Sequence, residues 1–115
     1  MNRPRLVVVG DTLFDRDLVG AVERLAPDAP VPVVSEPEEQ VRPGGAGLAA
    51  WLAAPDADVV LLTALGDGAA DATARRLLHV RGVDVRAVAR TPGIPQKIRV
   101  RAEGQTLLRM ERSTS

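Results

Sequence analysis

The chain has 115 residues, 45% of them hydrophobic and 26% charged, which is the size and balance of one folded domain and not of a disordered tract or a coiled coil. Fifteen basic and fifteen acidic residues cancel, so no global field draws the chain to nucleic acid or to an anionic membrane surface. Cysteine is absent and His79 is the single histidine, which excludes disulfides, thiolate metal sites and histidine-rich metal sites, and leaves little room for a Ser-His triad.

No stretch approaches the roughly 18 apolar residues of a membrane span. The apolar run near the N-terminus is too short for a signal peptide, and the expectation is a cytoplasmic protein. Aromatic residues make up 2% (Phe14 and Trp51), so the core must rest on Val, Leu, Ile and Ala.

In chain order, "RLVVVGD" (Arg5 to Asp11) is a continuous apolar run ending in Gly-Asp, which reads as a fully buried strand of a parallel sheet. Residues 12–45 follow with five prolines, too many for a helix, and read as loop plus edge strands, "VPVVSE" being the best strand among them. Ala46 to Ala54 reads as a helix stopped by Pro55. "ADVVLLTALGD" (Ala57 to Asp67) is a second buried strand. Gly68 to Gly82 reads as a second helix, with Asp71 in its first half, Arg75, Arg76 and Arg81 later, and Gly82 past its end, as the helix dipole and C-cap rules prefer. "VDVRAVAR" is a third strand. Gln96 to Arg112 alternates and breaks at Glu103-Gly104, the pattern of a hairpin. Buried strands alternating with helices imply a parallel sheet with right-handed crossovers. The proline-rich segment and the hairpin fall outside that rhythm and can pair as an accessory sheet. The chain also lacks a closing element after its last strand, so the expectation is one incomplete domain.

Three groups of residues carry candidate chemistry. Asp11 and Asp15 stand in "GDTLFDRD", past the first strand, where open α/β sheets place ligands and where carboxylates can accept hydrogen bonds from hydroxyls. Turn chemistry is the plainer account of both. Gly44 and Gly45, in "RPGGAGLAA", permit positive φ and close backbone approach ahead of a helix. No Gly-Lys-Ser/Thr follows, so this is not a P-loop, and no buried strand precedes it, so it is not a dinucleotide fingerprint. Lys97, Arg99 and Arg101 alternate along one strand and share a face, suited to a phosphate or else to the solvated side of an edge strand. His79 reads as a surface residue and Trp51 as core packing.

With these residues in view, "VVVGDTLFDRDLVGAVERLAPDAPVPVV", "RPGGAGLAAWLAA", "LLTALGD" and "PQKIRVRAEGQTLLRMER" together resemble the N-terminal half of the PfkB/ribokinase-like sugar kinases. "LAPDAPVPVV" beside "RPGGA" most resembles the heptose 7-phosphate kinase branch, the kinase part of the bifunctional ADP-heptose synthesis protein. The resemblance implies a ribokinase-like three-layer α/β/α sandwich with a β lid, of which residues 1–115 are the N-terminal part, with about 12–45 and 96–112 as lid strands. It implies phosphoryl transfer from ATP, with Mg2+, to a hydroxyl of a sugar or sugar phosphate. A homodimer through the lid is a further implication. Asp15, and secondarily Asp11, match the sugar-binding carboxylates. Gly44 and Gly45 match the diglycine where sugar meets backbone, and Lys97 and Arg99 match basic lid positions.

Two departures accompany it. The family's asparagine three residues after the diglycine is Leu48 here, and a sugar hydroxyl facing it would go unpaired, at roughly 1–3 kcal/mol. The Gly-Ala-Gly-Asp motif that carries the catalytic base is absent, so no catalytic residue is assigned and the chain alone is expected not to turn over. The competing expectation is a non-catalytic, truncated or decayed homologue acting as a sugar-binding or interaction module.

Overall fold

The computed structural model describes residues 3–112. Its elements run β1 (Arg5–Val9), β2 (Thr12–Leu25), β3 (Pro32–Gly45), α1 (Ala46–Ala53), β4 (Asp58–Leu65), α2 (Ala69–Arg81), β5 (Asp84–Ala89), β6 (Gln96–Ala102) and β7 (Gln105–Arg112). They form two sheets. One is parallel, in the order β1-β4-β5, and the other has four strands, in the order β3-β2-β6-β7. The two segments that break the α/β rhythm therefore do pair with each other.

The parallel layer follows from β4. Val59, Leu61, Thr63 and Leu65 alternate to its buried face. Val59 and Leu61 meet Ala50 of α1, Ala54 just past its end and Leu78 of α2, so both helices cover the same face of the sheet. Leu61 and Leu78 are fully buried, each worth about 1.5–3 kcal/mol of apolar burial. Alanine on α1 lets the helix lie close to the strand without long side chains to accommodate. α2 ends where the sequence says it should. Gly82 adopts φ 97, and its N–H donates to the carbonyls of Leu78 and His79.

A second core joins the sheets, with Phe14 of β2 and Ile94 packed among Leu65, Ala70 and Ala74. The chain crosses between the sheets at three points, and each crossing is tied. The Thr12 and Thr63 hydroxyls are 2.8 Å apart and buried. The Ala46 N–H donates to the Asp11 carbonyl at 2.9 Å, and the Arg90 N–H to the Leu65 carbonyl at 3.0 Å. At the third crossing the buried Asp71 carboxylate accepts from the N–H of Gly66 at 2.6 Å and of Ile94 at 3.0 Å. Asp71 stands in the first turn of α2, as the helix-dipole rule led one to expect, and its carboxylate also bonds the turn after β4 to the segment before β6.

Three strand expectations need correction. β1 is exposed, with Val7 at 58% and Val9 at 72%, because it is a sheet edge and the helices cover a single face. Residues 12–45 are not loop plus edge strands. They are two 14-residue strands, and β2 is interior, pairing antiparallel with β3 and parallel with β6. The prolines misled because all of them lie in the connecting turn or on β3, an edge strand that tolerates lost ladder donors. β6 is also interior, flanked by β2 and β7, so its basic row is not an edge device. The hairpin expectation holds in detail. Glu103 and Gly104 have φ 52 and 77, the two positive values of a type I′ turn. The long sheet extends the molecule to a radius of gyration of 17.0 Å, against about 13 Å for a compact domain of this length.

Candidate functional site

Strand register builds the site. Asp15 on β2 lies directly opposite Arg42 on β3 and Lys97 on β6. Asp17, two residues on and so on the same face, lies opposite Gln40 and Arg99. This face of the four-stranded sheet is the one turned away from Phe14 and the core. A pocket of about 130 Å³ opens on it, lined by Asp15, Asp17, Gln40, Val41 and Arg42.

The Asp15 side chain is 17% exposed, and its Oδ2 stands 3.7 Å from Arg42 Nε. Gly44 makes that position possible. A Cβ there would come within 2.7 Å of Asp15 Oδ2, so the bare backbone of residue 44 leaves the carboxylate its space. Gly45 serves differently. Its φ of 60 turns the chain from β3 into α1, and a Cβ would press 2.6 Å from the Asp11 carbonyl. Leu48 sits in the first turn of α1.

The structure thus brings Asp15, Gly44, Lys97 and Arg99 to one face. Asp11 stands apart at the end of β1, exposed, with its backbone carbonyl committed to Ala46. Asp17, Gln40 and Arg42 were missed by sequence reasoning. Asp17 shares the strand parity of Asp15 and was findable. Arg42 and Gln40 become neighbours through the β2–β3 register, which the proline-rich sequence does not reveal. Lys97, Arg99, Arg101 and Asp17 form no ion pair within 4 Å among the described residues.

A larger hollow of about 660 Å³ lies between α2 and β5, lined in part by Asp71, Arg75, Arg76 and His79. It contains none of the candidate residues and is wide and shallow. Both are lined by carboxylate and cationic groups, and the smaller pocket is preferred because it holds Asp15, whose carboxylate has its space beside the bare backbone of Gly44. Trp51 packs against the core, with the Arg81 guanidinium 4.7 Å from its ring centre.

Residues 3–112 match the pfkB family of carbohydrate kinases. The chain belongs to that family. It is 47% identical over 112 residues to the bifunctional protein HldE of Streptomyces coelicolor, covering 96% of this chain and 24% of that protein. It is 40% identical over 110 residues to the HldE of Nitrosococcus oceani, covering 93% and 23%. The chain thus spans about a quarter of the length of these curated relatives. Among solved structures, a carbohydrate kinase from Agrobacterium tumefaciens aligns with a TM-score of 0.74 at 17% identity, over 95% of this chain and 35% of that one. Phosphofructokinase-2 from Escherichia coli, solved with fructose-6-phosphate, aligns with a TM-score of 0.66 at 19% identity, over 99% and 36%. The fold is therefore ribokinase-like. The described residues supply one of the two helical layers of such an α/β/α sandwich, together with the accessory sheet. No helix of the described residues is long and apolar enough to cross a membrane.

The family implies ATP and a metal ion. Among the described residues no group of three or more Asp, Glu or His side chains could hold a metal. Gly44 lies against Asp15, Gly45 against the Asp11 carbonyl and Gly47 against Thr12 and Pro43, and no lysine directly follows them. The residues present do not fit a nucleotide–metal centre, and no step is assigned to one here.

Proposed function

We propose that this chain is the sugar-binding part of an ATP-dependent carbohydrate kinase acting on a phosphorylated sugar, with heptose 7-phosphate the foremost substrate. One observation carries the reading. Asp15 is held nearly buried between Arg42 and Lys97, beside a glycine that leaves its carboxylate clear. A carboxylate so placed accepts hydrogen bonds from sugar hydroxyls at roughly 1.5–3 kcal/mol each, and unpaired cations on the same face suit a phosphate. The choice of heptose rests on the motifs from Leu25 to Val34 and from Arg42 to Ala46, which resemble the heptose 7-phosphate kinase branch. On this reading residues 12–45 and 96–112 are the lid over the sugar. A cytoplasmic location and a lid-mediated homodimer belong to the same proposal.

Thermal melting tests it. At tenfold saturation a ligand stabilises by about 1.4 kcal/mol, which for a chain of this size raises Tm by about 5 °C. Heptose 7-phosphate should do so, and Asp15→Asn should remove the effect. An unchanged Tm at millimolar sugar phosphate would sink the reading. Leu48 favours a second reading, a sugar-binding or interaction module that does no chemistry. Both readings expect no ATP turnover by the 115-residue chain, and turnover above background would contradict that expectation.

A further inference from the structure

The hollow between α2 and β5 takes no part in the function proposed above, yet its volume of about 660 Å³ is that of a small-molecule site. Its basic wall comes from one stripe of α2. Ala72, Arg75, Arg76 and His79 are spaced three and four apart, so they share one side of the helix, and the small Ala72 leaves the hollow open beside the long side chains. The helix dipole accounts for His79, which stands in the last turn. Its influence fades within one turn of the end, and Arg75 and Arg76 stand at mid-helix.

Carboxylates do not account for these two arginines either. Asp71, one turn before Arg75, is turned to the N–H groups of Gly66 and Ile94. Asp84, at the foot of the hollow, is held by Arg86 at 3.0 Å. Arg75, Arg76 and His79 form no ion pair within 4 Å among the described residues. Other arginines of this layer are engaged, Arg81 with the Trp51 carbonyl and Arg90 with the Gly93 carbonyl. Asp67 is the remaining carboxylate of the hollow, so basic groups outnumber the uncommitted acidic one. Val83 and Val85 add an apolar patch.

We propose that this hollow is a second ligand site, for a small organic anion with two or more negative charges, of the polycarboxylate kind, held by Arg75, Arg76 and His79. Guanidinium forks match carboxylate oxygens in pairs, and two adjacent forks with an imidazole one turn on can share the charges of one such molecule. A wide, water-open hollow suits a charged guest held by charge-assisted hydrogen bonds better than an apolar one. The site lies on the helical layer, away from the face that carries Asp15, and it does not rest on the sugar-kinase reading.

Titration calorimetry of the 115-residue chain with citrate, and with its neutral triethyl ester, tests this. Citrate should bind at one site and the ester should not. Arg75→Gln and Arg76→Gln should each weaken citrate about five- to tenfold, and Arg75→Lys should recover part of the loss. Ala72→Leu keeps every charge but fills the hollow, so it should weaken citrate as much as the arginine variants do. Arg24→Gln on β2 and Asp15→Asn should leave citrate binding unchanged. Circular dichroism checks that each variant is folded. The site is overturned if citrate does not bind at millimolar concentration, or if binding ignores Arg75 and Arg76. It is also overturned if Ala72→Leu is harmless, which would show a diffuse basic surface, or if Lys97→Gln is the most damaging change, which would place citrate on the accessory sheet. Asp15-dependent binding of heptose 7-phosphate should survive Arg75→Gln, so the sugar reading and this site can fail separately.

Discussion

Replacing Asp71 with alanine should cost this protein much of its stability, although Asp71 lies off the face that carries Asp15. Its side chain is 3% exposed and accepts two backbone hydrogen bonds, from Gly66 and Ile94. Hydrogen bonds to a charged group are worth about 1.5–3 kcal/mol each, and their loss strands two donors in a protein interior. The two together give about 3–6 kcal/mol, against a total of roughly 5–15 kcal/mol for a domain of this kind. At about 4 °C per kcal/mol for a chain of this length, Tm should fall by some 12–24 °C. Urea unfolding followed by far-UV circular dichroism, extrapolated linearly, measures the difference directly. Asp67→Ala, at an exposed position in the same turn, should change little. A loss below about 1 kcal/mol for Asp71→Ala would show that the two N–H groups find other partners, and the account of this crossing would fail.

Other outcomes follow from local geometry. Gly44→Ala places a Cβ 2.7 Å from Asp15 Oδ2, so it should abolish heptose 7-phosphate binding in calorimetry while the chain still folds; normal binding would separate Gly44 from the site. Glu103→Asn should stabilise by about 0.5 kcal/mol in urea unfolding, because asparagine tolerates the left-handed backbone that Glu103 occupies with φ 52; a loss would contradict the type I′ assignment. Arg86 hydrogen-bonds to Asp84 and holds its carboxyl below the usual carboxylate range. A lowered folded-state pKa contributes stability above the unfolded value and loses it as pH falls through the folded one. Both groups are exposed, so Asp84→Asn should lower the unfolding midpoint only slightly at pH 7, and the gap should close in acid; a gap that widens in acid would reverse the sign.

The parallel layer was legible because its signals are local. An apolar run ending in Gly-Asp, an alanine-rich helix and a glycine past Arg81 each specify their own element. The accessory sheet was legible only in part. Prolines at 32, 37 and 43 weaken a strand in general but not on an edge, and which strand is the edge is a property of the finished sheet. The exposure of β1 was missed for a related reason. A run of valines signals burial, and burial depends on what lies on either side. At the site, the parity of Lys97, Arg99 and Arg101 could be read from spacing alone. Their neighbours could not, since Arg109 and Asp17 join the row through pairing between strands. Asp71 shows the same limit. Its place on a helix suggested dipole compensation, and only the fold shows the two backbone groups it holds.

The ties between the sheets have a mechanical consequence. Hydroxyls, a carboxylate and backbone bonds clamp the base of the four-stranded sheet at every crossing, so the joint is its stiffest part. Compliance is left to the far end of the β2–β3 ribbon, where β2 runs past the last residue of β6 and the register slips twice, between Val19 and Ala21 and between Val22 and Arg24. Any closing motion over Asp15 would come from twisting that ribbon about a fixed root, and amide exchange should be slowest at Thr12 to Arg16 and fastest beyond Gly20.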